Sequence, residues 1–438
     1  MERFLEHNQQ HWLSPQQFAE RDPQLHALKR QKYTHEPFLL HQLPINIPGV
    51  YTLVGGRQIG KTTLIKQWMQ HLLQTGINAK AIFFLTGEII NDHLSLIHII
   101  QQYIEQPVSV PLRYIIIDEV TYIKNWDQGI KYLADMGAFE NVIFMLTGSD
   151  STIIKEARMR FPGRRGSAER VDFHLYPLSF YEFIQLKFKE EPSINALFQE
   201  FENYLEHGGF LTAINDAAIN QKISTATYRT YSDWIRGDVL KHGKNETYLK
   251  EVLIAIIKTY GTQITWNALA DHTSISHHDT IREYIELLEA MDVLFVQHAL
   301  IEDKLLAAPK KAKKIIFKDP FIYHAVRSWV LPLQTENLDI IPSLVETCVV
   351  SHYQRFYPCF YIKAEGEVDL AYIDQNRFFP IEVKWTGQLR PKDLKQISKY
   401  RNGLILTKQK EKGMIQNIPT EPLPKNLYMI NTPSFGRD

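Results

Sequence analysis

From Val50 onward, short apolar runs alternate with amphipathic stretches, a pattern that predicts a parallel sheet with helices on both faces. The strands it marks are Tyr51–Val54, Ala81–Leu85, Tyr114–Ile117 and Val142–Leu146. Residues 1–48 read as a polar amphipathic helix and a segment punctuated by Pro37, Pro44 and Pro48, an arm laid on the next domain. Between about Gln199 and Asn245 the spacing becomes helical. Glu251–Leu300 then reads helix, short helix, helix, strand. Lys313–Phe317 adds a strand, so a winged-helix unit with a hairpin between Val296 and Phe317 is expected. After Pro342 come a helix, two β runs around a turn at Asp374-Gln375-Asn376, and a further α/β alternation. The fold class expected is α/β, in three modules behind the arm.

Bulk properties narrow the partners. With 438 residues the length prior gives about three domains. Lys+Arg and Asp+Glu both total 49, so no net field draws the chain to DNA or an anionic membrane, and any nucleic-acid contact needs a local patch. The two cysteines, Cys348 and Cys359, form no disulfide framework and no metal-ligand spacing, which fits a reducing compartment. The N-terminus lacks a signal-peptide pattern, and no apolar run approaches the roughly 20 residues of a membrane span. A cytoplasmic protein is expected.

Gly55-Gly56-Arg57-Gln58-Ile59-Gly60-Lys61-Thr62 fits G-x-x-x-x-G-K-[ST], between an apolar strand and an amphipathic helix opening at Thr63. Glycines let the backbone curl so that N–H groups and a helix N-terminus face phosphates. Lys61 supplies a point charge near the β- and γ-phosphates, and the Thr62 hydroxyl a ligand for Mg²⁺. Arg113–Glu119 is an apolar strand ending in two carboxylates, with Asp118 placed to hold Mg²⁺ and Glu119 to orient or activate the attacking water. A third apolar strand delivers Thr147-Gly148-Ser149-Asp150 to the same sheet edge. Thr147 or Ser149 is a γ-phosphate sensor, and the sequence does not choose between them. The basic stretch Arg158, Arg160, Arg164, Arg165 and Arg170 offers candidates for an arginine finger. ATP with Mg²⁺ is the cofactor pair this predicts.

These residues and others further on resemble the bacterial and archaeal AAA+-type ATPases that carry a winged helix and a C-terminal restriction-endonuclease-like domain of unknown function. The resemblance lies in GGRQIGKTT (55–63), IIIDEVTYIKNW (115–126), LTGSDS (146–151), PGRRGSAERVDFHLYPLSFYEF (162–183), EHGGF (206–210), FKDP (317–320) and IEVK (381–384). It implies Arg164 as the finger or sensor. The segments expected are an arm (1–48), a P-loop ATPase core (49–195), a helical lid and winged helix (196–330), and a nuclease-like α/β domain (331–438).

Charge argues against a sequence reader in the winged-helix region. The would-be reading helix, Asp279–Met291, offers Asp279, Glu283, Glu286 and Glu289 against Arg282, which phosphates would repel. Lys304, Lys310, Lys311, Lys313 and Lys314 follow on the hairpin, where they could track a nucleic-acid backbone as in a DNA-binding regulator, although solvent-facing lysine is commonplace there. A packing or lid role is expected, and His272, His277 and His278 are read as surface residues.

In the last segment Asp369 lies on one strand, and Glu382 and Lys384 share a face of the next. Paired, those strands would place two carboxylates and a lysine as a Mg²⁺ site for phosphodiester chemistry. Glu346 upstream could add a ligand, while Gln396 and Tyr400, four apart on a helix, match a Q-x-x-x-Y pattern. The function expected is an ATPase whose nucleotide state controls a Mg²⁺-dependent nuclease acting on DNA or RNA. The alternative is an ATP-dependent switch whose C-terminal domain is a protein-binding or scaffold module, with self-assembly open.

Overall fold

In the computed structural model, which describes residues 8–107, 110–151, 159, 165–332, 340–386 and 394–430, the chain forms two units. The first is Met1–Tyr176 with Ala290–Asp292, and the second is Pro177–Glu289 with Val293–Asp438.

The first unit is built on strands β1 (Gly49–Val54), β2 (Ile82–Thr86), β3 (Arg113–Asp118), β4 (Val142–Gly148) and β5 (Asp172–His174). They form one parallel sheet in the order β2-β3-β4-β1-β5. Period-two alternation sorts their side chains between two cores. Val50, Phe83, Ile115 and Phe144 face one side, packed with helices α2 (His93–Ile104) and α3 (Trp126–Asp135). Tyr51, Phe84, Tyr114 and Met145 face the other, packed with α1 (Lys61–Gln74) and with Phe18 and Leu25 of the arm. Because both faces are covered, the strands are apolar almost throughout, which is why four of the five were legible. β5 was not, since three residues give no apolar run.

The arm differs from the single amphipathic helix expected. Pro15 and Pro23 divide it into short helical pieces, including Gln10–Leu13, Phe18–Arg21 and Pro23–Lys29. Asp22 caps the last of these and reaches the Lys66 ammonium at 3.4 Å. Side chains of the arm satisfy the open edge of β2. Gln9 takes the Phe84 N–H on its Oε1 at 3.2 Å and donates to the Phe84 carbonyl, while His11 and Trp12 both reach the Ile82 carbonyl at 2.8 Å. An edge strand left with bare amides is a pairing hazard, and here side chains remove it.

In the second unit, α4 (Phe180–Lys187), α5 (Ile194–His207), α6 (Leu211–Asn220), α7 (Thr225–Lys241) and α8 (Glu246–Lys258) are followed by α9 (Trp266–Ala270) and α10 (His278–Ala290). Strand β6 (Leu294–His298) pairs antiparallel with β9 (Lys313–Phe317), and the short β7 (Leu300–Ile301) pairs with β8 (Leu306–Ala307) between them. Helices α11 (Pro320–Val330) and α12 (Ile341–Gln354) lead to a six-stranded mixed sheet. Its order is β10-β11-β12-β13-β15-β14, comprising Cys359–Lys363, Glu367–Asp374, Arg377–Lys384, Leu404–Thr407, Ile418–Pro422 and Gly413–Ile415 respectively. Gln375 and Asn376, both at positive φ, turn β11 into β12.

Several of the sequence's signature residues serve this second unit as joints. Ser179 and Glu182 of PLSFYEF form a reciprocal capping box that starts α4. Asp319 of FKDP caps α11 through the Phe321 N–H at 2.8 Å and also accepts the Gly209 N–H of EHGGF at 2.9 Å. Gly208 has φ +54, and a Cβ there would fall 1.6 Å from Asp319 Oδ1. Both cysteines are free and buried. Among the described residues no helix is long and apolar enough to cross a membrane.

Candidate functional site

In open α/β sheets ligands bind beyond the carboxyl ends of the strands, and there the first unit gathers its polar side chains. After β1 the chain turns at Gly55 (φ +155), where a Cβ would meet the Leu175 carbonyl at 2.4 Å. It passes Gln58 (φ 58) and reaches Gly60 (φ +103), which caps α1 with no side-chain partner. A Cβ at Gly60 would touch nothing within 4 Å, so the positive φ and not crowding selects glycine here. Ile59 anchors the loop in the core below. The Arg57 guanidinium lies over the Tyr122 ring at 5.7 Å and hydrogen-bonds its hydroxyl, a partner the sequence had not marked.

Lys61 is buried and turned back on its loop, donating to the carbonyls of Gly55 (3.0 Å) and Gly56 (3.1 Å), with Glu119 Oε1 at 3.4 Å. Thr62 Oγ1 donates to Asp118 Oδ2 at 2.7 Å. Because β4 lies between β1 and β3, its Thr147 stands between the loop and the carboxylates. The Thr147 hydroxyl donates to Asp118 Oδ1 and accepts the Glu119 N–H at 3.0 Å. Among the described residues, the side-chain hydrogen bonds to Asp118 come from Thr62 and Thr147, while Ser149 is buried two positions further on. Burial pushes the Asp118 carboxyl up, and these two hydroxyls oppose it. Glu119 takes φ 53, and its Oε2 is buried with no hydrogen-bond partner among the described residues. Positive φ is a strained setting for glutamate, and Gly87 makes room for it: a Cβ there would lie 2.4 Å from the Glu119 carbonyl.

The basic stretch divides. Arg158, Arg160 and Arg164 lie outside the described residues. Arg165 is tied to Asp172 Oδ1 at 2.6 Å and to the carbonyls of Val50 and Val171 at 3.2 Å, so it staples β5 to β1. Arg170 lies over Phe173 at 4.9 Å and donates to Gln42 at 2.6 Å. His174 meets Asp292 Oδ2 at 2.6 Å and stacks on Tyr176 at 4.0 Å, a second cluster the sequence had not marked.

The second unit brings the C-terminal carboxylates together, with a different centre from the one expected. The β11–β12 ladder runs to Leu370↔Ile381, after which Asp369 Oδ2 accepts the Val383 N–H at 2.9 Å. Lys384 is bound to Glu382 Oε1 at 2.6 Å. Lys314 Nζ lies 2.6 Å from Glu346 Oε1, 2.5 Å from Glu367 Oε1 and 3.8 Å from Asp369 Oδ1. Burial and the neighbouring Asp369 push the Glu382 carboxyl well up, and the same two causes raise Glu346.

Two lysines read as solvent-facing are therefore buried. Lys313 is 4 % exposed, with its ammonium 4.4 Å above the Trp266 ring, and Lys314 is 1 % exposed. The reason is that β9 is buried on both faces, so alternation along it sends no side chain to water. Gln396 and Tyr400 also depart from expectation. They flank a single 3₁₀ turn, Ile397–Lys399, and not an α-helix. They still meet, with Gln396 Nε2 donating to Tyr400 Oη at 2.8 Å and Tyr400 Oη donating to Glu302 at 2.9 Å. Among the described residues no group of three or more His, Cys, Asp or Glu side chains is placed to hold a metal ion. The outer face of α10 carries exposed Asp279, Glu283 and Glu286 beside Arg282, and His272, His277 and His278 are exposed.

A family described as "AAA domain" matches residues 48–184, and one described as "Domain of unknown function (DUF8612)" matches 198–335. A curated relative from Haemophilus influenzae, described as an uncharacterized protein, is 26% identical over 256 residues. The match takes in 55% of this chain and 60% of the relative, less than two thirds of the relative's length. Among solved structures, the Walker-type ATPase of Pyrococcus abyssi aligns at TM-score 0.43 and 13% identity, covering 64% of this chain and 91% of that one. The Orc1 protein of Aeropyrum pernix, solved in complex with DNA, aligns at TM-score 0.33 and 11% identity, covering 73% and 96%. The parallel sheet, its phosphate loop and the AAA match together give an AAA+, Walker-type P-loop ATPase-like fold.

Proposed function

We propose that this chain binds and hydrolyses ATP as an AAA+-type switch, and that its C-terminal domain is a binding module which responds to the nucleotide. The observation that carries the first part is the convergence of Thr62 and Thr147 on Asp118, beside Lys61 and Glu119. The donor set suits magnesium, a hard cation that takes oxygen ligands: a hydroxyl and a buried carboxylate already face each other. Thr62 and Asp118 would hold the ion, and bound Mg²⁺ would neutralise charge on the β- and γ-phosphate oxygens.

This chain's own residues supply the rest. The N–H groups of residues 55–63 cradle phosphate oxygens at the positive end of α1. Lys61 exchanges its loop carbonyls for the β- and γ-phosphates. Glu119 accepts a hydrogen bond from the attacking water through Oε2, which has no hydrogen-bond partner among the described residues. Thr147 links the γ-phosphate side of the site to Asp118, and Ser149 is the weaker candidate for that sensing role. Arg164 is the arginine proposed to complete the site. ATP turnover by wild type, Lys61→Ala and Glu119→Gln tests the assignment. Equal rates in all three would reject it.

A second reading, a Mg²⁺-dependent nuclease acting on DNA or RNA through Glu346, Asp369, Glu382 and Lys384, is favoured by one observation: Glu382 Oε2 is buried with no hydrogen-bond partner among the described residues. Labelled single- and double-stranded DNA and RNA, incubated with Mn²⁺ with and without ATP, would separate the readings. Cleavage lost in Glu382→Ala establishes the nuclease. Intact ATP hydrolysis with no cleavage leaves the switch and directs attention to protein partners.

A further inference from the structure

The carboxylates at the start of β11, near the end of β12 and on α12 would suit a divalent cation by composition, yet a lysine from another element holds the place such an ion would take. We propose that Lys314 stands in for the metal, making the C-terminal domain a metal-independent module held by an internal ammonium. The inference sharpens the switch reading of that domain and does not depend on nucleotide.

Three observations support it. First, the geometry is that of a ligand shell. An ammonium offers three N–H donors, and Lys314 Nζ touches carboxylate oxygens of Glu346 and Glu367 at 2.6 and 2.5 Å, with Asp369 Oδ1 as an ion-pair neighbour at 3.8 Å. Second, the lysine is built in. Its side chain is 2 % exposed, and it sits opposite Gln297 in the β6–β9 ladder. Gln297 is itself fully buried and donates to the Asp369 carbonyl at 2.9 Å and to that of Phe360 at 3.0 Å. Neighbouring residues of β6 and β9 thus grip one residue of β11, Lys314 by its carboxylate and Gln297 by its backbone.

Third, the remaining carboxylates are already engaged. Glu367 also receives Gln263 Nε2 and lies 3.9 Å from Lys363, while Glu382 Oε1 is held by Lys384. A divalent ion entering here would meet the ammonium groups of Lys314 and Lys384 and would have to displace Lys314, whose side chain is 2 % exposed. Like charges at such spacing in a buried setting repel strongly. Glu382 Oε2, which has no hydrogen-bond partner among the described residues, leaves acceptor capacity over, so removing the ammonium should leave an oxygen-rich cavity that a hard cation would fill.

The test uses the full chain without nucleotide and Mn²⁺ as probe, read by loss of the free-ion electron paramagnetic resonance signal and by melting temperature. Wild type should bind no Mn²⁺ that Asp369→Asn removes. Lys314→Met should bind one Mn²⁺ at least about tenfold more tightly than wild type. It should gain melting temperature on binding, and both effects should vanish in Lys314→Met/Asp369→Asn. Wild-type Mn²⁺ binding that is abolished by Asp369→Asn overturns the proposal. So does a Lys314→Met chain, folded or not, that gains neither Mn²⁺ nor a Mn²⁺-dependent rise in melting temperature. ATP hydrolysis enters neither readout, so failure of the ATPase assignment would be seen separately.

Discussion

Thr62 Oγ1 and Asp118 Oδ2, 56 positions apart in the chain, are joined by a 2.7 Å hydrogen bond. The first turn of α1 is thereby fixed to the carboxyl end of β3. In the reading proposed above, this hydroxyl and this carboxylate are the pair that would share the cation.

Lys61→Ala removes the one ammonium in the loop and should weaken ATP binding by about 10- to 100-fold, the value of a charge-assisted hydrogen bond. Glu119→Gln keeps shape and removes the base. It should leave ATP affinity within about twofold and slow turnover by roughly 100-fold or more. Calorimetric titration with ATP, together with steady-state turnover, checks both.

Thr147 and Ser149 make opposite predictions. Thr147 bonds both Asp118 and the Glu119 N–H, so Thr147→Ala should lower kcat by about tenfold or more. Ser149→Ala should change it by less than about twofold. A reversed order in the turnover assay would move the sensing role to Ser149.

Arg165→Ala cuts the staple between β5 and β1 and takes the guanidinium from the mostly buried Asp172 carboxylate, which keeps the Thr52 hydroxyl. Chemical denaturation should show a loss of about 3 kcal/mol, typical of breaking a poorly exposed charge pair. An unchanged midpoint would mean that solvent replaces the guanidinium without cost.

Gly208→Ala places a methyl group on the Asp319 carboxylate and demands φ +54 of alanine. A loss of at least about 3 kcal/mol is expected in the same assay, with little soluble protein at 37 °C. Gly60→Ala, which meets no atom, should cost only about 1 kcal/mol of stability through its φ.

His11 gives the pH dependence. Burial lowers its pKa from 6.5 to about 4, so the fold holds it neutral where the unfolded chain would take a proton. Its contribution is present above pH 6.5 and is lost as pH falls through about 4, a decline on the order of 3 kcal/mol. His11→Gln should flatten the stability profile over that interval. Profiles of equal slope for the two proteins would exclude the linkage.

Short-range rules account for the part of this protein that was legible in its residues alone. Period-two and helical spacing marked four strands of the first sheet. The loop from Gly55 to Thr62 and the pair Asp118-Glu119 stood out because the phosphate-loop motif consists of fixed residue types at fixed local spacing. The turn at Gln375-Asn376 was legible for the same reason, because positive φ at two adjacent positions favours few residue types. Contacts between residues far apart in the chain settled the remainder. Strand order put Thr147, and not Ser149, against Asp118. β5 was too short to mark itself and took its identity from Arg165 and the β1 edge. Lys313 and Lys314 look like solvent-facing lysines in sequence. Only the packing of β9 shows one above Trp266 and the other among three carboxylates, since whether a charge is solvated or buried depends on what lies across from it and no local pattern carries that information.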